Sequence, residues 1–238
     1  MSSFTKQLPK SELHAHLNGS ISAQTLLTLL EKKLLLEPEN EVFLKHLNDQ
    51  SWIPTLPSLD LFQSLDLQRT HLDDIFKHFD VINAVVTTLE DLAVITTSVL
   101  EDFFKDGVYY LELRTTPKQL NGASFDAYIT TVVSCLKTAE STFQSPPGYP
   151  RFCPRLILSI NRNKHDVHTA WEIIKLAEKW REKTSQKNDD YYLPGGAVVG
   201  IDVCGNPISD QLGLTRFLPH FEYCKTKHLG VTIHFAEK

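Results

Sequence analysis

Five short runs of strand character punctuate the chain: Glu12–His16, Tyr109–Arg114, Leu156–Asn161, Val198–Val203 and Val231–Phe235. Most are near-continuously apolar, as strands buried on both faces should be. Between them the apolar residues return at helical spacing. Leu92, Ile95, Val99, Leu100 and Phe103 form such a stripe from about Leu89 to Lys105. Thr87 and Glu90 are spaced as a capping box at its start, and Gly107 supplies the stop. A second helix follows Ser124, with Tyr128, Val132, Leu136 and Ala139 on one face. A third follows Asp166, with Ala170, Ile173, Ile174, Ala177 and Trp180. A fourth lies between Ser209 and Lys227 and is expected to break at Pro219. From Ala23 to Phe79 there is no convincing strand. Leu26, Leu27, Leu30 and Leu34 mark a helix there, followed by a polar stretch and further helical turns. Gln144–Pro154 and Thr184–Gly196 read as surface loops.

Strands alternating with helices imply parallel pairing through right-handed crossovers. The expected fold is α/β, a TIM-type (β/α) barrel of the metal-dependent hydrolase kind. A complete barrel has eight strands in roughly 250 residues. About five are visible here, so the expectation is one domain, residues 1–238, forming an incomplete barrel that is truncated at its C-terminus.

Composition narrows the partners. With 238 residues, 42% hydrophobic and 22% charged, the chain has the makeup of a folded domain. A net charge of -5 gives no electrostatic case for nucleic acid. There is no apolar run long enough for a bilayer, and Met1–Gln7 lacks the apolar core of a secretory signal. Cys135, Cys153, Cys204 and Cys224 are widely spaced, as in reduced thiols of a cytoplasmic protein. The expected protein is cytoplasmic and monomeric, with a small-molecule partner and no membrane.

The chemistry concentrates at strand ends. His14-Ala15-His16 places two imidazoles on one side of a strand, since side chains alternate with period two. His234, at the end of the last run, completes a three-nitrogen face for one Zn2+ and leaves a position open for water. Glu237, three residues on, is then placed to act as acid or base. The bland alternative is that these histidines are satisfied core residues. Arg114-Thr115-Thr116-Pro117-Lys118 follows an apolar run, where hydroxyl and ammonium donors can hold a phosphate. The same residues also suit a strand leaving the core into a capped loop. Asp202 lies inside an apolar run, and a carboxylate there must be paired. Gly205 just beyond it lets backbone approach a ligand closely. The other histidines read as surface or packing residues.

Four segments carry a family likeness. Glu12–Ser20, with its His-Ala-His-Leu-Asn-Gly-Ser, resembles the first metal motif of the adenosine and AMP deaminase family. Tyr110–Lys118 is similar to its second motif, and Val199–Pro207 to the segment whose glycine lies against the purine. His234-Phe235-Ala236-Glu237 resembles its His-x-x-Glu, in which the glutamate donates a proton. Asn18 resembles the adenosine-deaminase-like branch, which removes the N6 substituent of N6-methyl-AMP to give IMP and an amine.

The resemblance implies zinc-dependent hydrolysis in purine nucleotide metabolism. It makes His14, His16 and His234 the metal ligands and Glu237 the catalytic residue. His16, Asn18, Asn83, Thr115, Thr116, Pro117, Lys118, Asn161 and Gly205 become substrate contacts, Asn83 by alignment of Asp73–Asp91 with the family. The family's later segments carry a further histidine and two aspartates without counterparts here, which implies that this chain alone lacks useful activity. Three other readings stand beside this one. One is an adenosine deaminase acting on the nucleoside, and another is a non-catalytic relative. The third is a different amidohydrolase, against which the lack of a lysine within a strand counts.

Overall fold

The computed structural model describes residues 8–36, 82–183, 196–206, 210 and 212–235. The helical turns expected between residue 37 and Phe79, and nearly all of the Thr184–Gly196 loop, lie outside them. Five strands form one sheet: β1 (Lys10–His16), β2 (Val108–Thr115), β3 (Cys153–Asn161), β4 (Val198–Cys204) and β5 (Gly230–Ile233). All pairings are parallel and the spatial order is β1-β2-β3-β4-β5. Sequential order is that of a (β/α) barrel wall; a doubly wound sheet would reverse its order midway. Among the described residues β1 and β5 are the two edges, so the wall is a half-barrel.

Each strand turns alternate residues to opposite faces. Leu111 and Leu113, Leu156, Leu158 and Ile160, and Ile201 and Val203 join the hydrophobic core. That core is completed by helices α1 (Ala23–Leu36), α2 (Leu89–Lys105), α3 (Phe125–Thr142), α4 (Val167–Lys183) and α5 (Leu218–Thr226). The other face carries Glu112, Arg114, Ser159 and Asp202, so the near-continuous apolar runs conceal a polar inner surface.

Local rules account for the helix ends, with small departures from the sequence expectation. The capping box of α2 is Thr88 with Asp91, one residue beyond Thr87 and Glu90. Asp91 takes the role because it also accepts from the Thr87 backbone and pairs with Lys33 at 2.9 Å. Pro219 starts α5 rather than breaking a helix, since a 3-10 turn over Leu214–Phe217 precedes it and proline suits a first turn. The Pro-rich loop after α3 ends earlier than Pro154, which is the second residue of β3 and precedes Leu156, where the pairing of β3 with β4 begins. Among the described side chains of α1 the buried ones are Leu26, Leu29 and Leu30, so Leu29 replaces Leu27 on the inner stripe; the side chain of Leu34 lies outside those described.

β4 and β5 meet through glycine. Gly200 lies opposite Gly230 in register, and a Cβ on Gly200 would sit 2.8 Å from the Gly230 carbonyl oxygen. Real Cβ atoms do not approach so closely, so the strands would have to part. Gly200→Ala is expected to lower stability by about 1–3 kcal/mol, read as a shift in the urea midpoint at unchanged slope. An unchanged midpoint would mean that β5 docks without this close approach.

Candidate metal and nucleotide site

The three histidines come from the two edges of the sheet. β1 delivers His14 and His16, and His234 lies immediately past β5. Their side chains meet: the His14 and His234 Nε2 atoms are 3.0 Å apart, and those of His16 and His234 are 2.9 Å apart. Two Zn–N bonds of about 2.0–2.1 Å at a tetrahedral angle place nitrogens roughly 3.3 Å apart. The donor set and spacing therefore fit a single ion held by three imidazoles. Among the described residues this is the group of histidine, cysteine and carboxylate side chains able to hold a metal.

The electrostatics suit ligation. Burial pushes the His16 imidazole down to about 4, with the nearby His234 contributing next. His14 is lowered too, first by burial and then by the charge of Arg114. Both rings are neutral near pH 7 and offer lone pairs. Asp202 Oδ1 lies 3.1 Å from His234 Nδ1, which directs the proton to that nitrogen and leaves Nε2 bare. Burial pushes the Asp202 carboxyl up, but the hydrogen bond and charge from His234 and the charge of Arg114 outweigh it, so its pKa lies below the ordinary value.

His234 is also held by its backbone. Its N–H donates to the Val203 carbonyl at 2.9 Å. Its carbonyl accepts from Arg162 at 2.7 Å, and the same guanidinium donates to the carbonyls of Val203 and Cys204. Sequence reasoning missed Arg162, which sits in a polar turn with no motif to mark it. Its burial, at 6% exposure, is visible only once the strand ends are assembled.

The remaining expected contacts divide. Asn18 lies just past β1, in a 3-10 turn. Lys118 donates to the Asn83 side-chain oxygen, which brings those two together beyond β2. The Lys118 amine is pushed down to about 8 by burial and then by the charge of Lys164. Thr116 approaches Cys204 at the β4 end, with Oγ1 3.8 Å from Sγ, and Pro117 is buried beside it. Asn161 and Gly205 meet at the ends of β3 and β4. A Cβ on Gly205 would lie 2.8 Å from Asn161 Oδ1 and 2.5 Å from Asn163 Oδ1. Asparagine oxygens thus lie where a side chain on residue 205 would have to go, and φ of 102° adds a second need for glycine.

One residue of the Arg114–Lys118 segment corrects the sequence expectation. Thr115 does not face the strand-end mouth: its side chain is buried under α3, with its hydroxyl 2.8 Å from that of Tyr128. Period-two alternation sends it to the same face as Leu111 and Leu113. Arg114, the preceding residue, is 3% exposed and engaged by Asp202. Glu237 lies outside the described residues.

With this geometry in place, comparison with known proteins is informative. N6-methyl-AMP deaminase of Danio rerio is 33% identical over 98% of this chain and 57% of its own length. N6-mAMP deaminase of Arabidopsis thaliana is 32% identical over 98% of this chain and 61% of its own length. Among solved structures, Arabidopsis ADAL complexed with IMP superimposes with a TM-score of 0.72 at 32% identity, covering 98% of this chain and 59% of that one. The chain thus spans about three-fifths of the length of these relatives. The family model described as adenosine deaminase matches residues 9–238, the span that contains every strand and all three histidines. The chain belongs to the adenosine deaminase family.

Proposed function

We propose that this chain carries the metal-binding wall and the phosphate end of a zinc-dependent deaminase that converts N6-methyl-AMP and water to IMP and methylamine. The observation that carries this reading is the meeting of His14, His16 and His234 across the sheet. Zinc, when bound, supplies the Lewis acidity that makes water nucleophilic near neutral pH. The three imidazoles hold it. Asp202 fixes the His234 tautomer. Asn18, Asn161 and Gly205 border the purine. Glu237 protonates the ring nitrogen next to the carbon under attack, so that the amine can leave. Thr116, Pro117 and Lys118 receive the 5′-phosphate, with Asn83 steadying the lysine. The relative solved with IMP, the expected product, supports a nucleotide ligand for this wall. A reducing, cytoplasmic setting accords with the four free cysteines.

Metal binding is testable directly. The 238-residue chain is expected to take up one Zn2+ and to melt higher when loaded, by about 2.7 kcal/mol of added stability at a hundredfold excess of metal over Kd. His14→Ala and His234→Ala should each weaken binding at least tenfold in a chelator competition. Uptake unaffected by either substitution would sink the triad as the site.

The phosphate end is read by comparing IMP with inosine. IMP should bind more tightly, and its affinity should fall as pH rises through about 8, where the Lys118 amine loses its proton. Lys118→Met should bring IMP close to inosine and flatten that pH dependence. Equal binding of the two ligands by the unaltered chain would favour the nucleoside reading instead.

Turnover is a separate matter. Among the described residues no further histidine, cysteine or carboxylate stands with the three imidazoles as a candidate ligand. Acid and base groups typically contribute a factor of about 10²–10⁴ each. The zinc-loaded chain is therefore expected to release methylamine from N6-methyl-AMP at least a hundredfold more slowly than a relative of full length. Comparable rates would show that the described wall and Glu237 suffice.

A further inference from the structure

Arg114 touches every strand that matters to the triad. Its NH2 donates to the carbonyl of Leu13 at 2.7 Å, one residue before His14 on β1. Its NH1 donates to Asp202 Oδ1 on β4 at 3.1 Å and reaches Thr232 Oγ1 on β5 at 3.4 Å. Thr232 lies two residues before His234, and its hydroxyl donates to the same Asp202 oxygen at 3.0 Å. That oxygen also faces His234 Nδ1, while Ser159 donates to the other carboxylate oxygen. β2, which supplies no ligand, thus sends one guanidinium beneath the strands that do.

We propose that Arg114 is a positioning residue for the metal site, tying the His14 end of β1 to the Asp202–His234 pair so that the three imidazoles are held at ligating distance before the ion arrives. The inference rests on the zinc reading of the triad. Its physical basis is the fork of the guanidinium. Two nitrogens, fixed in one plane, serve acceptors on opposite sides of the site. A lysine has one nitrogen on a flexible stem and cannot span both. The ion pair with Asp202 is buried, at 4% and 0% side-chain exposure. That carboxylate therefore stays in place for His234 only while its guanidinium partner does. The bond to the Leu13 carbonyl on the neighbouring edge strand carries the clamp beyond the ion pair, to the residue that precedes His14.

The test compares Arg114→Lys, Arg114→Met and Thr232→Val with the unaltered chain. Each is measured for zinc affinity by chelator competition, for the visible spectrum of bound Co2+, and for metal-free melting. Arg114→Lys and Arg114→Met are expected to weaken zinc binding about 10–100-fold, the range for groups that orient metal ligands, and to alter the Co2+ spectrum. Thr232→Val removes one arm of the clamp at an exposed position and should weaken binding by less than tenfold. Glu140→Gln, which breaks the ion pair with Arg155 at 3.5 Å away from the triad, serves as the stability control and should leave zinc affinity unchanged. A folded Arg114→Lys with zinc affinity within twofold of the unaltered chain overturns the proposal. If the arginine variants do not fold, unchanged zinc affinity in Thr232→Val overturns it equally. Failure of the unaltered chain to bind zinc would instead sink the metal reading, and this inference with it.

Discussion

Curvature of the sheet is the constraint on which the site depends. β1 and β5 are separated by four inter-strand spacings, roughly 19 Å in a flat sheet at about 4.8 Å per step. Yet imidazoles from these two strands come within 3.0 Å of each other. Only a sheet curled toward its polar face brings them together. The helices pack on the outside of that curl, and the close approach of Gly200 and Gly230 draws the last strand inward. Outer packing and inner chemistry are thus two sides of one bend.

The inner face shows what such a bend requires of the side chains. A closed barrel fills its interior with branched aliphatic residues. Here the strand-end layer holds Arg114, Asp202, Ser159 and three histidines. Charges so placed are costly unless each finds partners. Asp202 meets that demand with four: Arg114, Thr232 and His234 at one oxygen and Ser159 at the other. Arg162 meets it with three backbone carbonyls. These bonds, with that of Arg114 to the Leu13 carbonyl, tie the polar layer to all five strands, which suits a site whose side chains must not drift apart.

Much of this was legible from the chain. The five strands are legible to within a few residues; β2, β3 and β4 are short apolar runs buried between helices, whereas β1 and β5 are largely exposed at the sheet edges, where the expectation of burial on both faces fails. The triad was legible because His-x-His and a strand-end His-x-x-Glu are rare outside metal chemistry. Asp202 was marked by its charge in an apolar run, and the structure supplies its partners. Less legible was the direction of side chains at strand ends. Thr115 and Thr116 are neighbours in sequence, yet one faces Tyr128 beneath a helix and the other faces Cys204 at the site. Arg114 is legible as the end of a strand, but the sequence does not show that alternation carries it inside to Asp202. Arg162 left no trace at all, since its task is to bind backbone carbonyls, which any sequence provides.

The distance along the chain between the ligands has its own consequence. His14 and His234 are 220 positions apart, so the site joins nearly the first strand to the last. Contacts of such separation form late, because the entropy of closing so long a loop must be met before they contribute. A growing chain emerging from the ribosome carries only two imidazoles of the triad until β5 has been made and docked. On the proposed zinc reading, capture of the ion is therefore reserved for molecules whose sheet has already curled, and partly folded chains are left without a complete site in which to hold it.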